Sequence, residues 1–275
     1  MKTRKFSPGN EWLYLKIYCG VKTADIILLE SIGVLVSDLM KKKLINRWFF
    51  IRYNDPNSHL RLRFQLLDIS DYNKILAMLN SSFKSYIHSG EIANIAIDSY
   101  VRELERYGEN TMVSAEELFC KSSELVLNFL NYDDEEKLIV SMFYIEQFLS
   151  LIKLSATKKM DLINQSNIVF KKEFNADKNL NNQLKRKFAE FKPKYQNFVD
   201  SNEFEEIRNL IIINICDSIP TLGKIIEDDL NFLASFFQSI FHMHINRIFI
   251  SRQRLFEMVV YDYLFRYNKN KGLKI

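Results

Sequence analysis

The chain has 275 residues, 47% of them hydrophobic and 26% charged, enough to bury a substantial core as one large domain or two small ones. A net charge of +4, with acids and bases mixed along the chain, is too mild for a nucleic-acid binder, and no dense basic tract occurs. Only 7 glycines and 4 prolines leave little material for Gly-rich phosphate cradles or long loops. The three cysteines, Cys19, Cys120 and Cys216, lie far apart without Cys-x-x-Cys or zinc spacing, which points to a reduced, cytoplasmic setting. The basic start MKTRKFSPGN is followed by no apolar core and does not read as a signal peptide. Leu230 to Asn246 is the best membrane-span candidate, but it is about one turn short and carries Asn, Gln, Ser and His, so a buried helix and a soluble protein are expected.

In chain order, Trp12 to Tyr18 alternates like a strand. Thr23 can cap a helix running to about Leu44, with Asp25 in its first turn and Lys41, Lys42 and Lys43 in its last. Two alternating runs, Trp48 to Tyr53 and His59 to Phe64, flank the turn formers NDPNS and predict a β-hairpin. Ser70 to about Ile87 reads as a helix and Ile92 to Tyr100 as a strand, giving the order strand, helix, two strands, helix, strand. Ser114 and Glu117 form a capping-box pattern for a helix to about Leu130, and Asp133 to Leu154 reads as the next, with acids at its start. Ile163 to Phe204 is polar, yet Phe188, Phe191, Tyr195 and Phe198 recur at helical spacing. Glu205 to Ile215 and an interrupted Lys224 to Tyr267 complete the helices. The expected class is α+β, with a β-sheet built mainly from the N-terminal ~110 residues packed with a largely helical C-terminal part.

In FFIRYNDPNSHLRLRF, His59, Arg61 and Arg63 fall on one sheet face opposite Leu60, Leu62 and Phe64. That face is either solvated or an anion site, because guanidinium grips carboxylates and phosphates in a fork. In DSYVRELERYGEN, Arg102 or Arg106 could join it if this segment neighbours the hairpin. Of the four histidines, His242 and His244 in HMH invite a metal reading, but residues two apart on a helix point about 200° apart and cannot chelate one ion together. His242 and Asn246, at i and i+4, do share a face. No Ser-nucleophile elbow, dinucleotide fingerprint, Walker loop or kinase set occurs.

Together WLYLKIYCG with TADIIL, FFIRYNDPNSHLRLRF, DSYVRELERYG and HMHINRI resemble the C-terminal domain of lantibiotic dehydratases, also called the SpaB C-terminal or thiopeptide-type bacteriocin biosynthesis domain. The resemblance runs from Trp12 to about Tyr267 in the family's motif order; one departure is Glu109, where the family's ERYG commonly continues with a second glycine. It implies one elimination domain over 1–275, sheet-rich over 1–110 and helical over 111–275. Full dehydratases esterify Ser or Thr of a precursor peptide with glutamate from glutamyl-tRNA; the C-terminal domain then expels glutamate, leaving dehydroalanine or dehydrobutyrine. Without the large glutamylation domain, this chain resembles the free-standing elimination partner of a split system.

By motif match the family's catalytic set falls on Arg63, Arg106 and His242, with Arg61, His59, Arg102, Asn246 and Arg247 as substrate-binding candidates. His242 is the expected proton carrier and the arginines the glutamate and enolate binders. No metal or cofactor is expected. The implied partners are the glutamylated precursor peptide and a separate glutamylation protein, with no direct nucleic acid and no membrane span; a homodimer stays open. Two alternatives stand beside elimination: the pyridine-forming cycloaddition of thiopeptide pathways, and a non-catalytic scaffold that binds peptide or partner, for instance by strand addition.

Overall fold

The computed structural model describes residues 3–152, 154–223, 225 and 230–272. They divide into two compact units: one runs to Asn131 and takes back Asn246–Ser251, the other holds Tyr132–Ile245 and the chain from Arg252 onward. The protein is α+β: among the described residues every strand lies in the first unit, and from Met112 onward the regular elements are helices.

The first unit is built on strands β1 (Lys5–Phe6), β2 (Trp12–Cys19), β3 (Ile45–Asn54), β4 (Ser58–Leu66), β5 (Ile92–Ile97) and β6 (Tyr100–Val101). Four of them form an antiparallel sheet in the order β3-β4-β2-β5. With helices α1 (Val21–Ile26), α2 (Gly33–Lys41) and α3 (Tyr72–His88) in the two crossovers, this is the βαββαβ arrangement of a split βαβ sheet. Leu13, Leu15, Ile17, Leu60, Leu62 and Phe64 are essentially solvent-free, as are Ile27, Leu28, Ile32, Ile75, Leu79 and Phe83 of the helical segments. Each such side chain contributes roughly 1.5–3 kcal/mol by leaving water. Strict alternation in HLRLRF sends its other residues to the opposite face.

Several boundaries differ from the expected ones. The first helix begins at Val21, ahead of Thr23, and α1 and α2 are joined by a π-helical turn, Ile27–Ile32. Asp25 is drawn into an ion pair with Arg52 rather than left to the helix dipole. Lys42 is the C-cap of α2, and Lys43 lies beyond it with a positive φ. The strand expected from Ile92 to Tyr100 breaks after Ile97: Asp98 accepts from the backbone N–H of Ser99 at 2.7 Å and pairs with Lys16 at 2.5 Å. The chain then forms β6, which pairs with β1.

Helix α4 (Leu104–Tyr107) is a single turn ended by Gly108, whose φ of 75° and ψ of 143° suit glycine alone. Helix α5 (Met112–Leu127) starts two residues before Ser114, so the expected capping box does not form. Ser114 is buried inside the helix, Glu117 pairs with Arg47 at 2.9 Å, and the Thr111 hydroxyl donates to the Tyr107 carbonyl.

In the second unit, α6 (Asp134–Leu151) carries a complete capping box between Asp133 and Glu136. Then follow α7 (Ala156–Glu173), α8 (Lys178–Asp200), α9 (Glu205–Cys216), α10 (Ile219–Gly223), α11 (Leu230–Ile248) and α12 (Gln253–Gly272). The helix expected from Lys224 begins outside the described residues; the interruption within it falls between α11 and α12, where Arg252 has positive φ. The stripe Phe188, Phe191, Tyr195 and Phe198 of α8 is buried, with Phe188 and Phe191 against Tyr263 and Tyr195 against Tyr267. Among the described residues no helix is long and apolar enough to cross a membrane.

Candidate functional site

The register of the sheet fixes what shares a face with the hairpin arginines. Arg63 pairs with Tyr14 on β2 and Phe49 on β3; Arg61 with Lys16 and Ile51; His59 with Tyr18 and Tyr53. On β2, β3 and β4 this face of the sheet is therefore basic and aromatic apart from Ile51.

Arg63 is 8% exposed, and its guanidinium carbon lies 4.3 Å from the Tyr14 ring centre, 5.0 Å from Tyr100 and 5.3 Å from Phe49. Its Nε is buried without a hydrogen-bond partner, and among the described residues no carboxylate pairs with it. Burial pulls its pKa down from the usual arginine value. A guanidinium held this way is partly compensated by the ring faces, and its donor fork remains available to an anion.

Arg61 stacks on Tyr53, its guanidinium carbon 3.4 Å from the ring centre, and its Nε donates to His59 Nε2 at 3.1 Å. His59 Nδ1 donates to the Asn57 carbonyl at 2.8 Å. The two bonds fix a neutral ring with the proton on Nδ1, and burial holds the His59 pKa below its ordinary value. His59 is thereby a prop for Arg61, with neither nitrogen left for proton transfer.

Four other cations of this unit are committed to acids. Arg102 meets Glu116 through two bonds of 2.7 Å, and Glu116 is wholly buried and also accepts from the Tyr100 hydroxyl at 2.9 Å. Lys16 is taken by Asp98, Arg47 by Glu117 and Arg52 by Asp25. Arg106, on α4, is one-third exposed and pairs with Glu103 at 3.4 Å. The turn carrying it is anchored by Tyr107, which is buried edge-on against Phe119 at 5.1 Å. Burial raises the Tyr107 phenol to about 12, with the charges of Arg106, Glu103 and Arg63 all acting on it. Arg63 and Arg106 stand at the two ends of one row of rings in the first unit: Arg63 lies 5.3 Å from Phe49, Phe49 5.3 Å from Phe119, Phe119 5.1 Å from Tyr107, and Tyr107 5.3 Å from the Arg106 guanidinium.

Asn246 and Arg247 also belong to this unit, where they satisfy the outer edge of β3. Asn246 accepts from the Arg52 N–H at 2.9 Å and donates to the Arg52 carbonyl at 3.0 Å, as a neighbouring strand would. Arg247, fully buried, donates to the Phe50 carbonyl at 2.8 Å, and the Ser123 hydroxyl takes the Phe50 N–H at 3.3 Å. The β3 edge is occupied by side chains at these positions.

In the second unit His242 and His244 turn to different neighbours: His244 is buried and stacked on Tyr144 at 4.0 Å, and His242 is 25% exposed in its side chain. His242 Nδ1 lies 2.9 Å from Glu257 Oε2, an atom that also accepts from Arg254 at 2.8 Å. Arg254 in turn pairs with Glu173. Sequence reasoning passed over Glu257, although an acid in the apolar run LFEMVVYDYLF was a visible signal. It also passed over the aromatic box around Arg63, which only strand register brings together.

The chain matches over residues 12–268 the family described as lantibiotic biosynthesis dehydratase C-term. It belongs to that family. Within the family's reach, the nisin biosynthesis protein NisB of Lactococcus lactis subsp. lactis is 31% identical over 278 residues, covering 95% of this chain and 26% of that protein. The chain thus spans about a quarter of the length of that curated relative. The solved tRNA-dependent lantibiotic dehydratase MibB from Microbispora sp. 107891 matches with a TM-score of 0.60 at 18% identity, over 96% of this chain and 29% of that one. TbtD, the pyridine synthase from thiomuracin biosynthesis, matches with a TM-score of 0.59 at 10% identity, over 95% of this chain and 100% of that one. At such identities the two structures speak for the shared dehydratase C-term fold alone.

Proposed function

We propose that this chain is a lyase that expels glutamate from glutamylated Ser or Thr of a ribosomally made precursor peptide in lantibiotic-type biosynthesis. The observation that carries the reading is Arg63: a buried guanidinium in an aromatic box, on the HLRLRF strand, with no carboxylate of its own among the described residues. In the reaction a base removes the α-proton, the Cα–H electrons form the Cα=Cβ bond by way of an enolate, and the Cβ–O bond breaks. Its electron pair leaves on the glutamate carboxylate, and the proton passes from the base to water. The leaving group is already a stable anion, so positive charge near it and near the enolate matters more than a strong acid. Arg63 and Arg106 supply that charge, Arg61 grips a glutamyl carboxylate, and His242 carries the proton. Arg102, His59, Asn246 and Arg247 hold the arginine-bearing sheet in shape, each through the hydrogen bonds given above.

The whole chain then acts as one elimination domain in the cytoplasm, taking a peptide esterified by a separate glutamylation protein. It needs no cofactor and no nucleic acid of its own. The test is incubation of the chain with a synthetic glutamylated peptide, followed by mass. Wild type is expected to release glutamate and leave the dehydro residue, while Arg63→Ala and His242→Ala leave the substrate intact. Bound but unchanged peptide with wild type would overturn the reading and turn attention to pyridine formation, the activity of the pyridine synthase TbtD.

A further inference from the structure

The second unit holds a buried acid that the elimination chemistry described above does not yet use. Glu257 is wholly buried on α12, and its Oε2 receives two donors, Arg254 Nη1 at 2.8 Å and His242 Nδ1 at 2.9 Å. The carboxylate that pairs with Arg254 carries no proton of its own, so its Oε2 accepts from both groups. The proton between His242 and Glu257 therefore sits on Nδ1. Its other ring nitrogen, Nε2, is left as the lone-pair atom on a side chain that keeps a quarter of its surface exposed.

The cost of this arrangement argues that it is selected for more than packing. A carboxylate taken fully out of water loses several kcal/mol of hydration unless it is paired. Glu257 keeps one oxygen, Oε1, without a hydrogen bond. Its charge is met from one side by Arg254, which Glu173 holds by two guanidinium nitrogens while its guanidinium carbon sits 4.6 Å from the Phe170 ring centre. The chain of contacts Glu173, Arg254, Glu257, His242 runs from α7 through α12 to α11. It ends on the one imidazole of HMH that reaches solvent, whereas His244 is buried in a ring stack.

We propose that Glu257 is the positioning residue for His242, fixing the Nδ1–H tautomer and aiming Nε2 as the atom that exchanges the substrate proton. This rests on the reading of His242 as the proton carrier in elimination. A base locked in one tautomer presents its lone pair in every encounter, whereas a freely tautomerising ring presents a proton instead of a lone pair part of the time.

The experiment uses the full chain labelled with 15N-histidine, at a pH where the imidazoles are neutral, with His242 assigned by comparison with His242→Gln. Long-range 1H–15N spectra distinguish the two tautomers of each ring directly. Wild type is expected in the Nδ1–H form; Glu257→Gln, whose amide can donate or accept, is expected to populate the Nε2–H form. In the elimination assay Glu257→Gln is expected to lower kcat by roughly a hundredfold or more with KM within about twofold. Phe170→Leu loosens the packing of α7 on α12 at Tyr261 and leaves the His242–Glu257 bond and its Arg254 in place; it is expected to keep the Nδ1–H form, which separates tautomer control from general loosening of the helices. An Nε2–H ring in wild type, or Glu257→Gln with tautomer and kcat unchanged, overturns the proposal. Should wild type fail to eliminate at all, the elimination reading falls, and the tautomer of His242 in wild type and Glu257→Gln still decides what Glu257 does.

Discussion

Replacing Arg63 and Arg102 by methionine, one at a time, should move stability in opposite directions, although both are buried arginines a few ångströms from Tyr100. Arg63 sits among Tyr14, Tyr100 and Phe49 with an unpartnered Nε and, among the described residues, no carboxylate in an ion pair with it. The desolvation of such an ion costs several kcal/mol, and three ring faces return about 0.5–2 kcal/mol each. Methionine fills a similar volume without the charge, so Arg63→Met is expected to raise unfolding free energy by about 1–2 kcal/mol. Arg102 instead closes a two-bond fork on Glu116, which has no exposed surface. Removing that partner leaves the buried carboxylate with the Tyr100 hydroxyl at 2.9 Å and Arg47 at 3.8 Å, and Arg102→Met is expected to cost about 3 kcal/mol. Urea unfolding of the three proteins at neutral pH reads both values. In the same preparations Arg63→Met should lose elimination by a hundredfold or more, roughly the 2.7 kcal/mol or above that one lost donor to a developing oxyanion costs. If Arg63→Met were destabilised as much as Arg102→Met, the picture of Arg63 as a cation kept uncompensated for a substrate would be wrong.

Other outcomes follow from the same contacts. Asn246→Ala leaves the N–H and carbonyl of Arg52 without their side-chain partner, and should cost about 2–3 kcal/mol with faster amide exchange at Arg52. Arg61→Lys removes the fork and the stacking on Tyr53, and should raise KM for a glutamylated peptide about tenfold, or 1.4 kcal/mol, with a smaller effect on kcat. The His59 pKa is lowered by burial, then by the charges of Arg61 and Lys16. Such a base binds fewer protons folded than unfolded between its two pKa values, so stability rises with pH across that window. Wild type should lose stability as pH falls from about 6.5 through the folded-state value, and His59→Gln should lose that slope in a pH series of urea melts.

The βαββαβ order, the hairpin and the face shared by His59, Arg61 and Arg63 were legible because alternation and turn residues are local signals. So was the buried stripe of α8, whose aromatics recur at helical spacing inside a polar segment. The Ser114–Glu117 pattern misled because a capping box needs only local residues to be written, whereas Arg47, far away in sequence, takes Glu117. Asp98 ends β5 for a related reason: its side chain serves its own turn and Lys16 at once. Which arginine keeps an acid was also out of reach. Arg102 and Arg63 look alike in sequence, and only the fold gives one Glu116 and the other a ring box. Asn246 and Arg247 stood out beside His242 in one motif, yet their side chains are spent on the backbone of β3, nearly two hundred residues earlier in the chain.

Elimination of glutamate is read out plainly by a peptide glutamylated at one serine and deuterated at that residue's Cα. With the chain alone, free glutamate should appear together with a dehydroalanine peptide that has lost its deuterium. A peptide returned to serine with the deuterium retained would mean ester hydrolysis, and would contradict the account.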